Sequence, residues 1–195
     1  SLGSMFGSDH YGMTPDIITF AKGLTSAYAP LSGSIVSKKV WEVLERGTDE
    51  LGPIGHGWTY SAHPIGSAAG IANLKLVDDL GLVKNASETG AYFLKALRDA
   101  VGDNPMVGDV RGEGLLAAVE FVADKPARTL FDPALKVGPK VSAALLKRGV
   151  IGRAMPQGDI LGFAPPLCLT RAEADTVVAA AADAIKEVAA EKPGR

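Results

Sequence analysis

The chain has one cysteine, Cys168, in 195 residues. A single thiol cannot close an intramolecular disulfide, so nothing in the composition calls for an oxidising compartment, and a cytoplasmic location is expected. No run approaches the roughly 20 consecutive apolar residues that a membrane helix requires. The opening segment SLGSMFGSDH has neither the basic nor the apolar stretch of a secretory leader. No membrane partner is expected. Charge of one sign is lacking too. The 20 Lys and Arg against 22 Asp and Glu leave a formal net charge of −2, without the basic field that grips nucleic acid. His10, His56 and His63 stand at spacings that suit no metal site, and no cysteine or carboxylate cluster accompanies them. No G-x-G-x-x-G follows a strand-like run and no G-x-x-x-x-G-K-[ST] occurs, which sets aside the common nucleotide-binding loops. Repeats and low-complexity segments are also absent.

What is present describes a folded chain. Hydrophobic residues make up 47% and charged residues 22%, close to the values of ordinary globular domains. Glycine is plentiful at 23 residues, against the roughly 14 that an average near 7% would give. These glycines fall in turn-like contexts, which suggests tight turns or close backbone approach to a ligand.

The order of elements is readable. Pro15–Phe20 (PDIITF) reads as a buried strand, followed by a turn-rich loop and a second extended run over Leu31–Val36. Ser37 is a candidate cap for a helix that Gly47 would end. The irregular loop Gly52–Ser61 (GPIGHGWTYS) precedes a helix opening near Pro64, whose GSAAG allows close packing and whose apolar residues predict burial. A further helix spans Ala86–Val101, and Leu115–Val122 reads as a strand. A helix follows near Leu135–Lys147, then short strands over Val150–Met155 and Asp159–Phe163 around a PQG turn. Thr170-x-x-Glu173 is a capping box for a terminal helix. The second half is therefore α+β, with a domain boundary expected at residue 90: a first domain over 1–90 and a second over 91–195.

Several residues could carry chemistry. Lys22 ends the first strand; a lysine held in an apolar setting retains a neutral amine fraction able to attack a carbonyl, whereas at the edge it is merely a solvated strand end. Thr59 is a hydroxyl near a helix start, suited to a phosphate or to capping that helix. Arg153 lies in a charge-poor stretch and calls for an anionic partner, either a carboxylate ligand or a structural ion pair. Tyr28 and Ala29 sit in the loop after Lys22, with Tyr28 equally readable as a packed aromatic. Arg111 in VRGEG reads as holding a turn or an interface. Asn85-Ala86-Ser87 matches a glycosylation acceptor without any secretory context.

The segments PDIITFAKGLTSAYAPLSG, HGWTYSAHPIGSAAG, RGEGLLAAVEF and GDILGFAPPLCLT, in this order, resemble those of class III, or omega, aminotransferases. The resemblance covers nearly the whole chain. It implies an α/β fold, the aspartate-aminotransferase-like fold type I of pyridoxal phosphate enzymes, with part of the large domain followed by a small α+β C-terminal domain. It implies pyridoxal 5′-phosphate as cofactor, an amine or omega-amino acid as donor and a keto acid such as pyruvate as acceptor. Lys22 matches the lysine that bonds to the cofactor aldehyde and then moves the substrate proton. Thr59 matches the threonine that binds the cofactor phosphate of the neighbouring subunit, with Trp58 walling the site, so a homodimer or a tetramer of such dimers is expected. Arg153 matches the mobile arginine that pairs with the substrate carboxylate, and Tyr28 and Ala29 match positions near the substrate.

Family members are roughly twice this length, so the chain resembles their C-terminal half. The acidic partner of the pyridine nitrogen, the aromatic stacked on the ring and the Gly-Ser phosphate loop have no counterpart in it. The 195 residues alone are accordingly expected to be inactive. An aminomutase of the same fold and a non-catalytic assembly module are the alternatives.

Overall fold

The structure is a computed structural model that describes residues 1–193. The last two residues of the expected 91–195 domain lie outside that description. The chain forms two compact units. One is Phe6–Gly81; the other comprises Ser1–Met5 and the chain from Leu82 onward. The division falls in the turn between two helices, and residue 90 lies within the second of them, α4, which runs unbroken from Leu82 to Val101.

The N-terminal unit opens with a single helical turn, α1 (Gly7–His10). Strands β1 (Ile17–Phe20) and β2 (Gly33–Val36) then pair antiparallel, with Ile17 opposite Val36 and Phe20 opposite Gly33. A short 3-10 turn, Lys22–Leu24, follows β1 directly. Helices α2 (Lys38–Leu51) and α3 (Pro64–Asp79) complete the unit. Ser37 caps α2 as expected, its hydroxyl accepting from the Val40 N–H. Gly47 does not end that helix. With no φ requirement and open space beside it, it continues the helix, which stops at Gly52, where φ is +88°.

The expectation of a buried first strand and a buried α3 fails in this unit. In β1 the side chains alternate between exposed and half-buried, because β2 is its only partner strand among the described residues. In α3 only Gly66 and Gly70 are buried, while Ile65 and Ile71 are each 70% exposed. Apolar residues all round a helix signal what would be covered in a core, and this unit has none: its buried residues are Thr25, Gly66 and Gly70.

The C-terminal unit holds the core. Its strands β3 (Val107–Glu113), β4 (Leu116–Phe121), β5 (Arg153–Ala154) and β6 (Ile160–Phe163) form an antiparallel sheet in the order β3-β4-β6-β5. In β4 alternate residues, Ala117, Val119 and Phe121, are buried, the period of two that a sheet with one packed face imposes. Against that sheet pack α4 and α5 (Val137–Leu146), while α6 (Arg171–Ala190) packs on both of these helices. Phe93 and Leu97 of α4, Leu145 of α5, Leu161 of β6 and Ile185 of α6 are fully buried. The expected capping box opens α6: Thr170 N–H donates to the Glu173 carboxylate at 2.8 Å, and Glu173 N–H returns a bond to the Thr170 hydroxyl at 3.2 Å.

Arg111 does hold a local structure, bridging Asp109 at 3.0 Å and Glu120 at 2.6 Å across β3 and β4. Both carboxylates raise its pKa above the ordinary arginine value, chiefly through the hydrogen bond to Asp109. Asn85 is engaged as well. Its amide donates to the carbonyls of Leu167 and Leu169 at 2.7 and 3.0 Å, a structural use of the residue in the acceptor-like triplet.

Candidate functional site

Lys22 leaves β1 in the left-handed region, with φ +50°. Ser26 and Ala27, a few residues on, do the same at +48° and +64°. Each such residue with a Cβ costs about 1–2 kcal/mol, and a cluster of them persists only where surrounding contacts hold it. Here the contacts are polar. The Thr25 hydroxyl, almost wholly buried, donates to the Ala29 carbonyl at 2.6 Å. The Asn73 amide, on α3, donates to the carbonyls of Gly23 and Leu24 at 2.9 and 3.1 Å and accepts from the Ser26 hydroxyl at 2.7 Å.

The turn presents Lys22 to an open cleft of about 1150 Å3 within the N-terminal unit. Lys22 is exposed there, not buried as a strand-end lysine in a core would be. Opposite it runs the loop before α3, which contributes His56, Trp58, Ser61 and His63. The loop is folded on itself. Ser61 N–H donates to the Trp58 carbonyl at 2.9 Å and Trp58 N–H donates to the Ser61 hydroxyl at 3.0 Å, so Thr59 and Tyr60 form the tip of a tight turn. The His56 ring meets Trp58 edge-on at 5.2 Å.

The residues singled out from sequence divide accordingly. Lys22 and Trp58 line one cleft. Thr59, exposed on the adjacent turn, is not part of the lining, and its hydroxyl has no partner among the described residues. The cap of α3 is made by His63 in its place, whose Nδ1 accepts from Ile65 N–H at 3.3 Å. Tyr28 is 91% exposed, so it is not a packed loop aromatic, and neither it nor Ala29 lines the cleft. Arg153 lies on β5 of the other unit, exposed and without an ion pair among the described residues. Sequence reasoning missed Asn73, Ser61 and the capping role of His63; the serine-to-tryptophan turn had a local signal in the spacing W-x-x-S, and Asn73 had none.

The donor set can be weighed against a pyridoxal phosphate. An amine is present for the aldehyde, serine and histidine side chains and the start of α3 for an anion, and a tryptophan face for a ring. No carboxylate is among the lining residues, so the cleft as built by this chain fits the aldehyde and phosphate ends of the group and lacks a partner for the ring nitrogen.

A lysine at a strand exit, facing an aromatic-walled cleft in a mixed helix-and-sheet fold, is a site for capturing a carbonyl. The family model described as aminotransferase class-III matches residues 1–185, and the chain belongs to that family. It is 61% identical over 186 residues to a diaminobutyrate–2-oxoglutarate transaminase of Halomonas elongata, covering 95% of this chain and 40% of that protein. Among solved structures, a transaminase obtained by ancestral reconstruction superposes with a TM-score of 0.95 at 64% identity, over 97% of this chain and 42% of that one. An (S)-enantioselective omega-transaminase from Thermomicrobium roseum superposes with a TM-score of 0.88 at 42% identity, over 96% and 40% respectively. The fold is thus the fold type I of class III transaminases, in part. This chain spans about 40% of the length of the relatives it matches.

Proposed function

We propose that the protein carrying this chain is a pyridoxal 5′-phosphate-dependent aminotransferase that moves an amino group from an amine or omega-amino acid to a keto acid. The observation that carries this reading is the strained turn that delivers the Lys22 amine into a cleft shared with Trp58. Family membership and the 61% identity to a diaminobutyrate–2-oxoglutarate transaminase support the donor class and favour 2-oxoglutarate, beside pyruvate, as a candidate acceptor. A tomato relative, 35% identical, is named a gamma aminobutyrate transaminase, again an omega-amino acid.

In this reading Lys22 Nζ anchors the cofactor aldehyde and, once released by substrate, carries a proton to and from the reacting carbon. The cofactor, when bound, supplies the electron sink that makes that carbon acidic. Trp58 bounds the cofactor ring. Thr59, on its exposed turn, reaches a phosphate held by a second copy of the chain, which makes a homodimer the functional minimum and leaves a tetramer as a pair of such dimers. Arg153, without an ion pair among the described residues, takes the substrate carboxylate, with Tyr28 and Ala29 bordering the substrate. The unit Phe6–Gly81 is then part of the large cofactor-binding domain and the other unit is the small domain. Among the described residues no helix is long and apolar enough to cross a membrane, and we place the enzyme in the cytoplasm.

The test is chemical trapping. Lys22 amine and the cofactor aldehyde condense with loss of water, and borohydride delivers hydride to the resulting C=N bond, fixing the adduct for peptide mapping. Labelling confined to Lys22 and abolished by Lys22→Ala is the expected result. Scattered labelling, or labelling that survives the substitution, would remove Lys22 from the role.

A further inference from the structure

The geometry points to Asn73 as a positioning residue for Lys22: its carboxamide, presented from the glycine face of α3, sets the turn that aims the Lys22 amine. This rests on the reading of Lys22 as the cofactor lysine. Gly66, Gly70 and Asn73 follow one another at the four- and three-residue steps that place side chains on one helix face. That face meets the loop after Lys22. A Cβ at Gly66 would lie 3.2 Å from the Pro30 carbonyl oxygen, and one at Gly70 would lie 2.9 Å from a Leu31 methyl and 3.9 Å from the Leu24 carbonyl. The two glycines therefore let the loop lie directly against the helix. Asn73, one turn further on, then reaches the backbone of the turn itself.

Its bonds are matched to that backbone. The Nδ2 group donates to Gly23 O and Leu24 O, the carbonyls immediately after Lys22, and Oδ1 accepts from Ser26, one of the left-handed residues. One side chain thus fixes both limbs of the bend in which Lys22 itself is left-handed. Asn73 is not among the residues lining the cleft. It acts on Lys22 only through the main chain, and a carboxamide is the group that offers two donors and an acceptor in one plane. Without it, the amine would sample a wider arc about the strand end, and reaction at a bound carbonyl depends steeply on that placement.

The experiment follows borohydride-trapped pyridoxal phosphate at Lys22 over time in the protein as naturally expressed, with the rate normalised to the folded fraction. Amide hydrogen exchange is read at Leu24, Thr25 and Tyr28, whose N–H groups close the turn onto Ala21, Lys22 and Thr25 carbonyls. Asn73→Ala is expected to slow labelling on the order of 10- to 100-fold and to speed exchange at those amides. Asn73→Asp, which keeps the acceptor and loses both donors, is expected to be nearly as slow. Asn73→Gln, which keeps the carboxamide, is expected to recover part of the rate, a rescue that simple loss of stability does not predict. Labelling of Asn73→Ala at the unsubstituted rate overturns the proposal, as does slow labelling with unchanged exchange or no rescue by glutamine. If Asn73→Ala does not fold, Ser26→Ala decides: a few-fold decrease with faster exchange supports the assignment, and an unchanged rate overturns it. Failure of the unsubstituted protein to label at Lys22 overturns the function proposed above, and is seen before any Asn73 variant is made.

Discussion

Replacing Gly90 by alanine is the sharpest available test of how the C-terminal unit is packed. Gly90 is buried in the middle of α4. A Cβ built there would collide with the carbonyl carbon and oxygen of Gly114, in the turn between β3 and β4, and would lie 2.7 Å from its Cα. These are main-chain atoms, which cannot rotate aside as a side chain would. The helix itself gains about 1 kcal/mol from Gly→Ala, but overpacking a dense core costs about 1–3 kcal/mol, with rigid neighbours at the upper end. The net expectation is a loss of about 2 kcal/mol, which in a domain near 100 residues lowers the melting temperature by about 8 °C. Gly47→Ala supplies the control. It too is a helical glycine, in α2, but no atom lies within 4 Å of its added Cβ, so the gain of about 0.5–1 kcal/mol should stand alone. Thermal unfolding followed by circular dichroism at the helix band reads both. If Gly90→Ala melts at or above the unsubstituted protein, the close approach of α4 to the β3–β4 turn is wrong.

Two other outcomes follow from the same unit. Phe93→Ala empties a fully buried site where the ring meets Phe163 edge-on at 5.9 Å, and should cost about 3–5 kcal/mol, read as a lower urea midpoint at unchanged slope. Glu173 is held below the ordinary glutamate value by the N–H and hydroxyl of Thr170. Its depressed folded pKa adds stability that is present above the unfolded value near 4.5 and is lost as pH falls through the folded one. The unsubstituted protein should therefore exceed Glu173→Gln in stability at neutral pH, with the difference shrinking below about pH 4.5; a constant gap across that range would contradict the capping geometry.

What was legible in the sequence was mainly what is local. The Thr170–Glu173 box, the Ser37 cap and the strand pair around the PQG turn are each written within a few residues, and each forms, though the first strand of the pair is confined to Arg153–Ala154 and does not span Val150–Met155. Gly47 misled because glycine marks a helix end only where a positive φ is needed, and the chain meets that need at Gly52. The apolar sequences of β1 and α3 predict burial, yet composition states what a surface would pack against and not whether the partner lies in the same chain. Lys22 was picked out by the resemblance of its surrounding residues, not by periodicity. Asn73 had no signal at all, since it meets its carbonyl partner fifty residues away in sequence and a single asparagine on a helix has many uses.

The separation of core from site has a consequence in time. Ser1–Met5 belongs to the same unit as the chain from Leu82 onward, and the N–H of Leu115 that bonds to the Ser1 carbonyl leaves the ribosome roughly ten seconds after Ser1 at ordinary elongation rates. Residues 6–81, which include Lys22, are therefore a loop whose two ends are joined only when the later-made unit folds. Slow codons or cold growth, which lengthen that wait, should delay the joining, and a nick within residues 6–81 should be most frequent before it occurs.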